Sequence, residues 1–214
     1  MIQQLFPDSI VCLEGNPNTI QGQMYPEEKA AVDGAVAWRI REFQAGRLLA
    51  RDALSQLGIK DYPLLNDGNR VPIWPKGVVG SITHTREYCA VAVSTSPSIK
   101  GLGVDAEIIS RLKMDLWEKI CTPNEIHDLD SLNSDDAQKM ATLIFSAKES
   151  FYKSQYRLSH MFVGFQDAET AIDTEGRTFT ITLRKNIGKW FDKNQRFAGR
   201  FIIEKTFVIT GLVL

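Results

Sequence analysis

Phe145-Ser146-Ala147-Lys148-Glu149-Ser150-Phe151-Tyr152-Lys153, read together with the upstream run Gly103-Val104-Asp105-Ala106-Glu107, decides how this chain folds. The upstream run predicts a strand. Its period of two sends Asp105 and Glu107 to one face and Val104, Ala106 and Ile108 to the other. The later run lies in a helical pattern predicted from about Asp135 to Tyr156, where Glu149 and Lys153 share a face four residues apart. Each piece alone has an ordinary reading. A D-x-E pair at a strand end describes solvated acids, and Glu four residues before Lys is a surface pair worth about 0.3–0.5 kcal/mol. Glycines at 101 and 103, which permit close backbone approach, and the third acid Glu149 raise the first pair above that reading, and the neighbours Phe145, Tyr152 and Tyr156 make the helix face unusually aromatic for a solvated one. Three carboxylates and a lysine brought together suit Mg²⁺ holding a phosphorylated substrate, because Mg²⁺ takes hard oxygen ligands and incomplete protein coordination.

Working outward, a short strand is predicted near Ile10–Leu13, a polar loop over 15–23 and a helix start at Pro26-Glu27-Glu28. A long helix is predicted from Val36 to Leu57, stopped by Gly58, with its seam at Ile40, Phe43, Ala50, Leu54 and Leu57. A Pro-, Gly- and Asn-rich loop follows over 61–77, then strands near Val78–Thr83 and Tyr88–Val93. Beyond the D-x-E strand come helices near Lys113–Ile120, Pro123–Leu129 and Asp135–Tyr156. The β-rich tail has strands near Asp167–Ile172, Thr178–Leu183, Phe197–Glu204 and Phe207–Leu212. This order predicts an α+β protein of two α/β halves meeting near Lys100–Gly103, that is, residues 1–102 and 103–214.

The chain has 214 residues, 43% hydrophobic and 24% charged, enough for one large domain or two small ones. A net charge of −1 gives no global field that would draw it to nucleic acid or anionic lipid. No apolar run reaches membrane-spanning length, and the first residues lack a basic and then apolar leader. Cys12, Cys89 and Cys121 are odd in number and widely spaced, which suits neither a disulfide framework nor a zinc knuckle. A reducing, cytoplasmic setting is expected.

Further candidates surround the two opening runs. His84 ends a probable strand among the hydroxyls of Ser81, Thr83 and Thr85, and reads either as structural or as part of a phosphate site. Arg47 falls in the apolar seam of the long helix, where a guanidinium needs an anion, either an internal carboxylate or a ligand phosphate. Arg51 lies one turn further on. Arg70 and Lys76 put positive charge on a loop that also carries Trp74, and Lys148 with Lys153 brackets Glu149 with cations.

Five motifs in order carry a resemblance. They are Gly46-Arg47-Leu48-Leu49-Ala50-Arg51-Asp52-Ala53-Leu54, Arg70 to Gly77 (R-x-P-x-W-P-x-G), Gly80 to His84, Gly103 to Glu107, and Phe145 to Lys153. The set resembles the 4′-phosphopantetheinyl transferases of the larger, pseudo-dimeric, surfactin- and enterobactin-type class, and the tryptophan-proline loop tilts it toward the enterobactin branch. The resemblance implies two similar α/β halves related by a pseudo-twofold, with coenzyme A in the cleft between them and the chain a monomer. It implies Mg²⁺-dependent transfer of phosphopantetheine from coenzyme A to a serine of an acyl or peptidyl carrier protein, releasing adenosine 3′,5′-bisphosphate. The alternative is a non-catalytic coenzyme A-binding or carrier-docking module of the same fold. Carried over by position, Asp105, Glu107 and Glu149 would hold Mg²⁺, Glu149 would act as base, and Lys153 would stabilise phosphate charge. His84 with Arg51 would meet the 3′-phosphate, with Arg47, Arg70, Thr83 and Lys148 as further nucleotide contacts. A carboxylate on a cation is a poor base, so the two roles of Glu149 are in tension unless a water relays the proton.

Overall fold

The computed structural model describes all of residues 1–214. Strand β1 (Val11–Gly15) is followed by a single-turn helix α1 (Pro26–Lys29) and the long helix α2 (Ala37–Gln56). An antiparallel hairpin of β2 (Val79–His84) and β3 (Cys89–Ser94) completes a three-stranded sheet ordered β1-β3-β2. After β4 (Leu102–Ile108) come α3 (Trp117–Ile120), α4 (Pro123–Asp130) and the longest helix, α5 (Ser134–Ser159). Four strands then follow: β5 (Ala168–Asp173), β6 (Thr178–Leu183), β7 (Arg196–Ile203) and β8 (Phe207–Val213). With β4 they make an antiparallel sheet ordered β4-β8-β7-β6-β5. The halves share a plan. Each opens on a strand that pairs with its own last strand, and each lays one long helix on its sheet. The second half adds a further hairpin.

Local chemistry sets the helix ends. After α2, the Ile59 N–H donates to Leu54 O and the Gly58 N–H to Ser55 O, with Gly58 at φ +81, the paired closure that stops a helix on a left-handed glycine. Asn133 caps α5 by accepting from the Asp136 N–H at 3.0 Å, and Asp135 and Asp136 complement the helix dipole in the first turn. The predicted Lys113–Ile120 helix splits into a 3₁₀ turn at Met114–Leu116 and the short α3.

Strand β3 is buried on both faces. Cys89, Val91 and Val93 pack on Ala45, Leu49 and Ala53 of α2. Ala90 and Ala92 face a second cluster holding Ile2, Leu5, Phe6 and Ile10 together with Val104, Ala106, Ile202 and Ile209. The N-terminal 3₁₀ turn (Ile2–Leu5), in which the sequence shows no motif, thus fastens the first sheet to the second. Under α5, Leu143, Ala147 and Phe151 pack on Phe179, Ile181, Phe197, Val208 and Leu212.

The two sheets meet edge to edge at β2 and β4 without forming a continuous ladder. Instead, the Ser81 hydroxyl accepts from the Val104 N–H at 3.0 Å and the Thr83 hydroxyl from the Ala106 N–H at 2.9 Å. Side chains from one half satisfy backbone donors that β4 would otherwise bury unpaired. On its other side β4 lies backbone-close to α5. A Cβ at Gly103 would overlap the Ser150 carbonyl oxygen and sit 2.7 Å from its carbon, and one at Gly101 would overlap the Ser154 carbonyl. The two glycines therefore set the closeness that brings Asp105 and Glu107 to Glu149 and Lys153.

Candidate active site

The junction opens into a cavity of about 640 Å³. One wall comes from the first half, with Arg39, Phe43 and Arg47 of α2, the β2 residues from Gly80 to His84, and the 66–74 loop. The other comes from the second half, with Asp105 and Glu107 of β4 and Glu149, Tyr152, Lys153 and Tyr156 of α5. The loop reaches across, where the Asn69 side-chain amide donates to the Tyr156 hydroxyl at 3.2 Å. Trp74 lies on the backbone of Gly80, where a Cβ would meet the indole at 2.5 Å, so the tryptophan is a wall of the cavity.

At the acidic end, Lys153 Nζ donates to Asp105 Oδ1 at 2.7 Å and to the Val104 carbonyl at 3.1 Å. The Ile82 carbonyl across the junction lies at 3.5 Å, so one ammonium touches both halves. Burial works against that ammonium, yet Asp105, then Glu149 and Glu107, hold its pKa above the ordinary lysine value. Burial and the Asp105 carboxylate push Glu107 up to about 8. Burial, reinforced by Asp105, also raises Glu149. The second oxygen of Asp105 is buried with no hydrogen-bond partner. Three crowded carboxylates and an unpartnered buried oxygen are the chemistry that a hard divalent cation relieves. They do not close into a three-donor cage by themselves, and no three His, Cys, Asp or Glu side chains elsewhere do so. Water and substrate oxygens would have to complete any coordination.

The other end is basic. Arg47 is only 4% exposed, stacks over Phe43 with its guanidinium carbon 4.0 Å from the ring centroid, and donates to Asn66 Oδ1 at 2.6 Å. Burial lowers its pKa to about 10, which leaves it charged at neutral pH. No carboxylate pairs with it, and its Nε has no partner. Of the two anions the sequence leaves open for Arg47, an internal carboxylate acts only at a distance, through the charge of Glu28.

His84 sits between Arg39 and Glu42. Arg39 Nη1 lies 3.0 Å from His84 Nε2, and Glu42 Oε2 lies 3.3 Å from Nδ1. An arginine only donates, so Nε2 accepts and the ring proton is on Nδ1, facing the carboxylate. Burial, then the positive charges of Arg39 and Lys153, lower the His84 pKa to about 4. The ring is neutral at physiological pH.

Arg70, Thr83 and His84 line the cavity as the sequence predicts, together with Arg47 and the acidic group. Two predicted ligand contacts do not. Arg51 leaves the cavity to stack on Tyr25 at 3.9 Å, donating to the Gln23 carbonyl at 3.1 Å and to Glu28 Oε2 at 3.3 Å. Four residues on from Arg47 it keeps nearly the same face but lies about 6 Å further along α2, where the segment before the helix takes its guanidinium. Lys148 is 3% exposed and donates to Glu125 Oε2 at 2.7 Å and to the carbonyls of Ile120 and Phe165. Adjacent residues on a helix diverge by roughly 100°, so the neighbour of Glu149 enters the core instead. Thr83 reaches the cavity, but its hydroxyl is engaged by β4.

Sequence reasoning missed Arg39, Glu42 and Asn66. Arg39, Phe43 and Arg47 follow one another at four-residue steps, so extending the Arg47 face backward by two turns would have found the first. Asn66 is fixed by a loop conformation that no periodicity encodes.

Residues 27–94 match the 4′-phosphopantetheinyl transferase N-terminal domain, and residues 101–209 match the 4′-phosphopantetheinyl transferase superfamily. The chain is 38% identical over 161 residues to the 4′-phosphopantetheinyl transferase Svp of Streptomyces mobaraensis, covering 75% of this chain and 65% of that one. It is 31% identical over 194 residues to PptT of Mycobacterium tuberculosis, covering 88% and 85%. It is 30% identical over 151 residues to enterobactin synthase component D of Escherichia coli K12, covering 67% and 70%.

Proposed function

The chain belongs to the 4′-phosphopantetheinyl transferase superfamily, and we propose that it transfers 4′-phosphopantetheine from coenzyme A to a serine of an acyl or peptidyl carrier protein. One P–O bond forms to the serine oxygen, the pyrophosphate P–O bond breaks, and adenosine 3′,5′-bisphosphate leaves. The observation that carries the reading is the polarity of the cavity. A lysine-braced carboxylate cluster lies at one end and a buried arginine without an anion at the other, with each half supplying one wall.

Asp105, Glu107 and Glu149 would hold Mg²⁺, which when bound neutralises pyrophosphate charge and polarises its oxygens. Lys153 donates to a phosphate oxygen as negative charge moves onto the leaving group, and its fixed position means little reorganisation at that moment. Glu149 takes the proton of the attacking serine, directly or through water. A carboxylate that touches the cation is a poor base, so the water route fits the position of Glu149 among the metal-holding acids. Arg47 and Arg70, with His84 and its neighbour Arg39, take the phosphate and adenosine end. Lys148 and Arg51 act as framework. The proposed halves, 1–102 and 103–214, are supported to within a few residues: the two matched regions leave a gap at residues 95–100, and β4, which opens the second half, begins at Leu102. Because one chain supplies both walls, the working unit is a monomer. No helix is long and apolar enough to cross a membrane, and with three unpaired cysteines the cytoplasm is the expected compartment.

The test is release of adenosine 3′,5′-bisphosphate from coenzyme A in the presence of apo carrier. Wild type should release it, and Asp105→Ala and Glu149→Gln should not, while still binding the nucleotide. Tight coenzyme A binding by wild type with no release over a panel of carriers would instead identify a non-catalytic module.

A further inference from the structure

Arg47 owes its orientation to the loop between α2 and β2. Residues 65–73 of that loop fold back on themselves as a finger. The Ile73 N–H donates to the Leu65 carbonyl at 2.8 Å and the Asp67 N–H to the Val71 carbonyl at 2.9 Å, with Asn66 bridged to Pro72 between them. At the tip the Asp67 carboxylate accepts from the Asn69 N–H at 2.8 Å and the Val71 N–H at 2.9 Å. Both stems are fastened. The Leu64 N–H donates to Glu28 Oε1 at 2.9 Å, and the Tyr62 hydroxyl donates to the Ile73 carbonyl at 3.0 Å. A finger with its own hydrogen bonds and two fastened stems delivers Asn66 to one place on the cavity wall.

There Asn66 Oδ1 accepts from Arg47 Nη2 at 2.6 Å. An arginine only donates, so the amide must turn its oxygen toward the guanidinium. The Phe43 ring covers a face of the same group at 4.0 Å. Ring and amide together hold a side chain that would otherwise sample many rotamers. The charge of the acceptor matters as much as its position. Glu28, the carboxylate that acts on Arg47 from a distance, is occupied elsewhere, by Arg51 and by the N–H groups of Tyr25 and Leu64. A carboxylate at position 66 would close an ion pair and cancel the charge that a phosphate needs. An amide of the same shape fixes the guanidinium and cancels nothing.

We propose that Asn66 is a positioning residue for the nucleotide, fixing Arg47 through a neutral acceptor so that the guanidinium keeps one orientation and its whole charge for a ligand phosphate. The proposal rests on the reading of Arg47 as a phosphate contact. Asn66 acts through Arg47, and the finger supplies the orientation during folding, so binding does not have to.

The test is the affinity of the full chain for adenosine 3′,5′-bisphosphate, measured by titration calorimetry. Wild type is compared with Asn66→Asp, Asn66→Ala, Arg47→Met and the double variant Asn66→Ala/Arg47→Met. Asn66→Asp keeps the shape and adds an ion pair, so the melting temperature should hold or rise. Its Kd should nevertheless increase about tenfold or more, with a flatter dependence on salt. A residue that merely braced the loop would leave both the fold and the Kd as they are. Asn66→Ala should raise Kd about tenfold in the wild-type background and less than about twofold beside Arg47→Met, where there is no guanidinium to place. An unchanged Kd in Asn66→Asp overturns the assignment. So does an Asn66→Ala effect that persists in full without Arg47, because Asn66 would then touch the ligand itself. In either case a weakened Arg47→Met leaves Arg47 standing as a phosphate contact. An Arg47→Met that binds as wild type does overturns that contact, and the positioning role falls with it. Should the buried Arg47 prove irreplaceable for folding, the Asn66→Asp comparison decides alone.

Discussion

Thr83→Val keeps the shape of a buried side chain at the cavity wall and removes the hydroxyl that joins the two sheets. Its oxygen accepts the Ala106 N–H at 2.9 Å, and both residues are buried, so no water replaces the lost acceptor. An unsatisfied buried backbone donor destabilises by about 1–3 kcal/mol. At a urea slope of about 2 kcal/mol/M, that moves the unfolding midpoint down by about 0.5–1.5 M. Ser81→Ala removes the equivalent acceptor for the Val104 N–H and should lose a similar amount. The two lie on one strand pair, so the double variant should deviate from additivity by more than about 0.5 kcal/mol. Thr83→Ser is the control, since it retains the oxygen and loses a methyl. The assay is urea denaturation followed by fluorescence of the four tryptophans. The reasoning is refuted if Thr83→Val matches wild type, or if Thr83→Ser is destabilised as much as Thr83→Val, because methyl packing would then be the cause.

Gly103→Ala forces β4 and α5 apart at Ser150. It should lose about 1–3 kcal/mol of stability and, through misplacement of Asp105, about 100-fold in turnover, whereas Gly68→Ala, with nothing near its Cβ, should lose neither. Lys148→Met leaves Glu125 charged and buried, so it should destabilise by about 3–5 kcal/mol while the folded fraction keeps its coenzyme A KM; a raised KM at full stability would restore Lys148 as a ligand contact. Lys153→Ala should lower kcat far more than it weakens coenzyme A binding, and a pure affinity loss would count against its role in the transition state. His84 should titrate by NMR near pH 4 instead of 6.5, facing Arg39, Glu42 and Lys153. Its folded pKa lies below the unfolded one, so its contribution is complete above pH 6.5 and is lost as pH falls toward 4. Adding adenosine 3′,5′-bisphosphate should move the midpoint upward, and an unmoved midpoint would place the phosphate elsewhere.

Periodicity made most of this architecture legible. The Asp105/Glu107 strand, the two long helices and the tail strands each carry a strong pattern, and their ends fall within a few residues of those predicted. That Asp105, Glu107, Glu149 and Lys153 could meet was legible from their residue types and faces, and the closeness that Gly101 and Gly103 allow is what the structure adds. The seam was not. Ser81 and Thr83 look like phosphate donors in one dimension, and only the edge-to-edge meeting of two sheets turns their hydroxyls into acceptors for β4. Lys148 misled because a charge beside a functional acid suggests the same face, whereas consecutive helical residues diverge. Arg51 misled because it shares the face of Arg47 but lies one turn further along α2, where its partner Glu28 belongs to a segment whose pattern is weak. Arg39 was within reach of the spacing argument, but Glu42 lies off that series, and His84 alone gave no sign of needing either.

The central claim is tested most directly by the intact mass of an apo carrier protein incubated with this protein, coenzyme A and Mg²⁺, with and without chelator. The account predicts a gain of one phosphopantetheine unit per carrier, abolished by chelator and by Glu149→Gln. An unchanged carrier mass across acyl and peptidyl carriers, with coenzyme A bound and Mg²⁺ present, would contradict it.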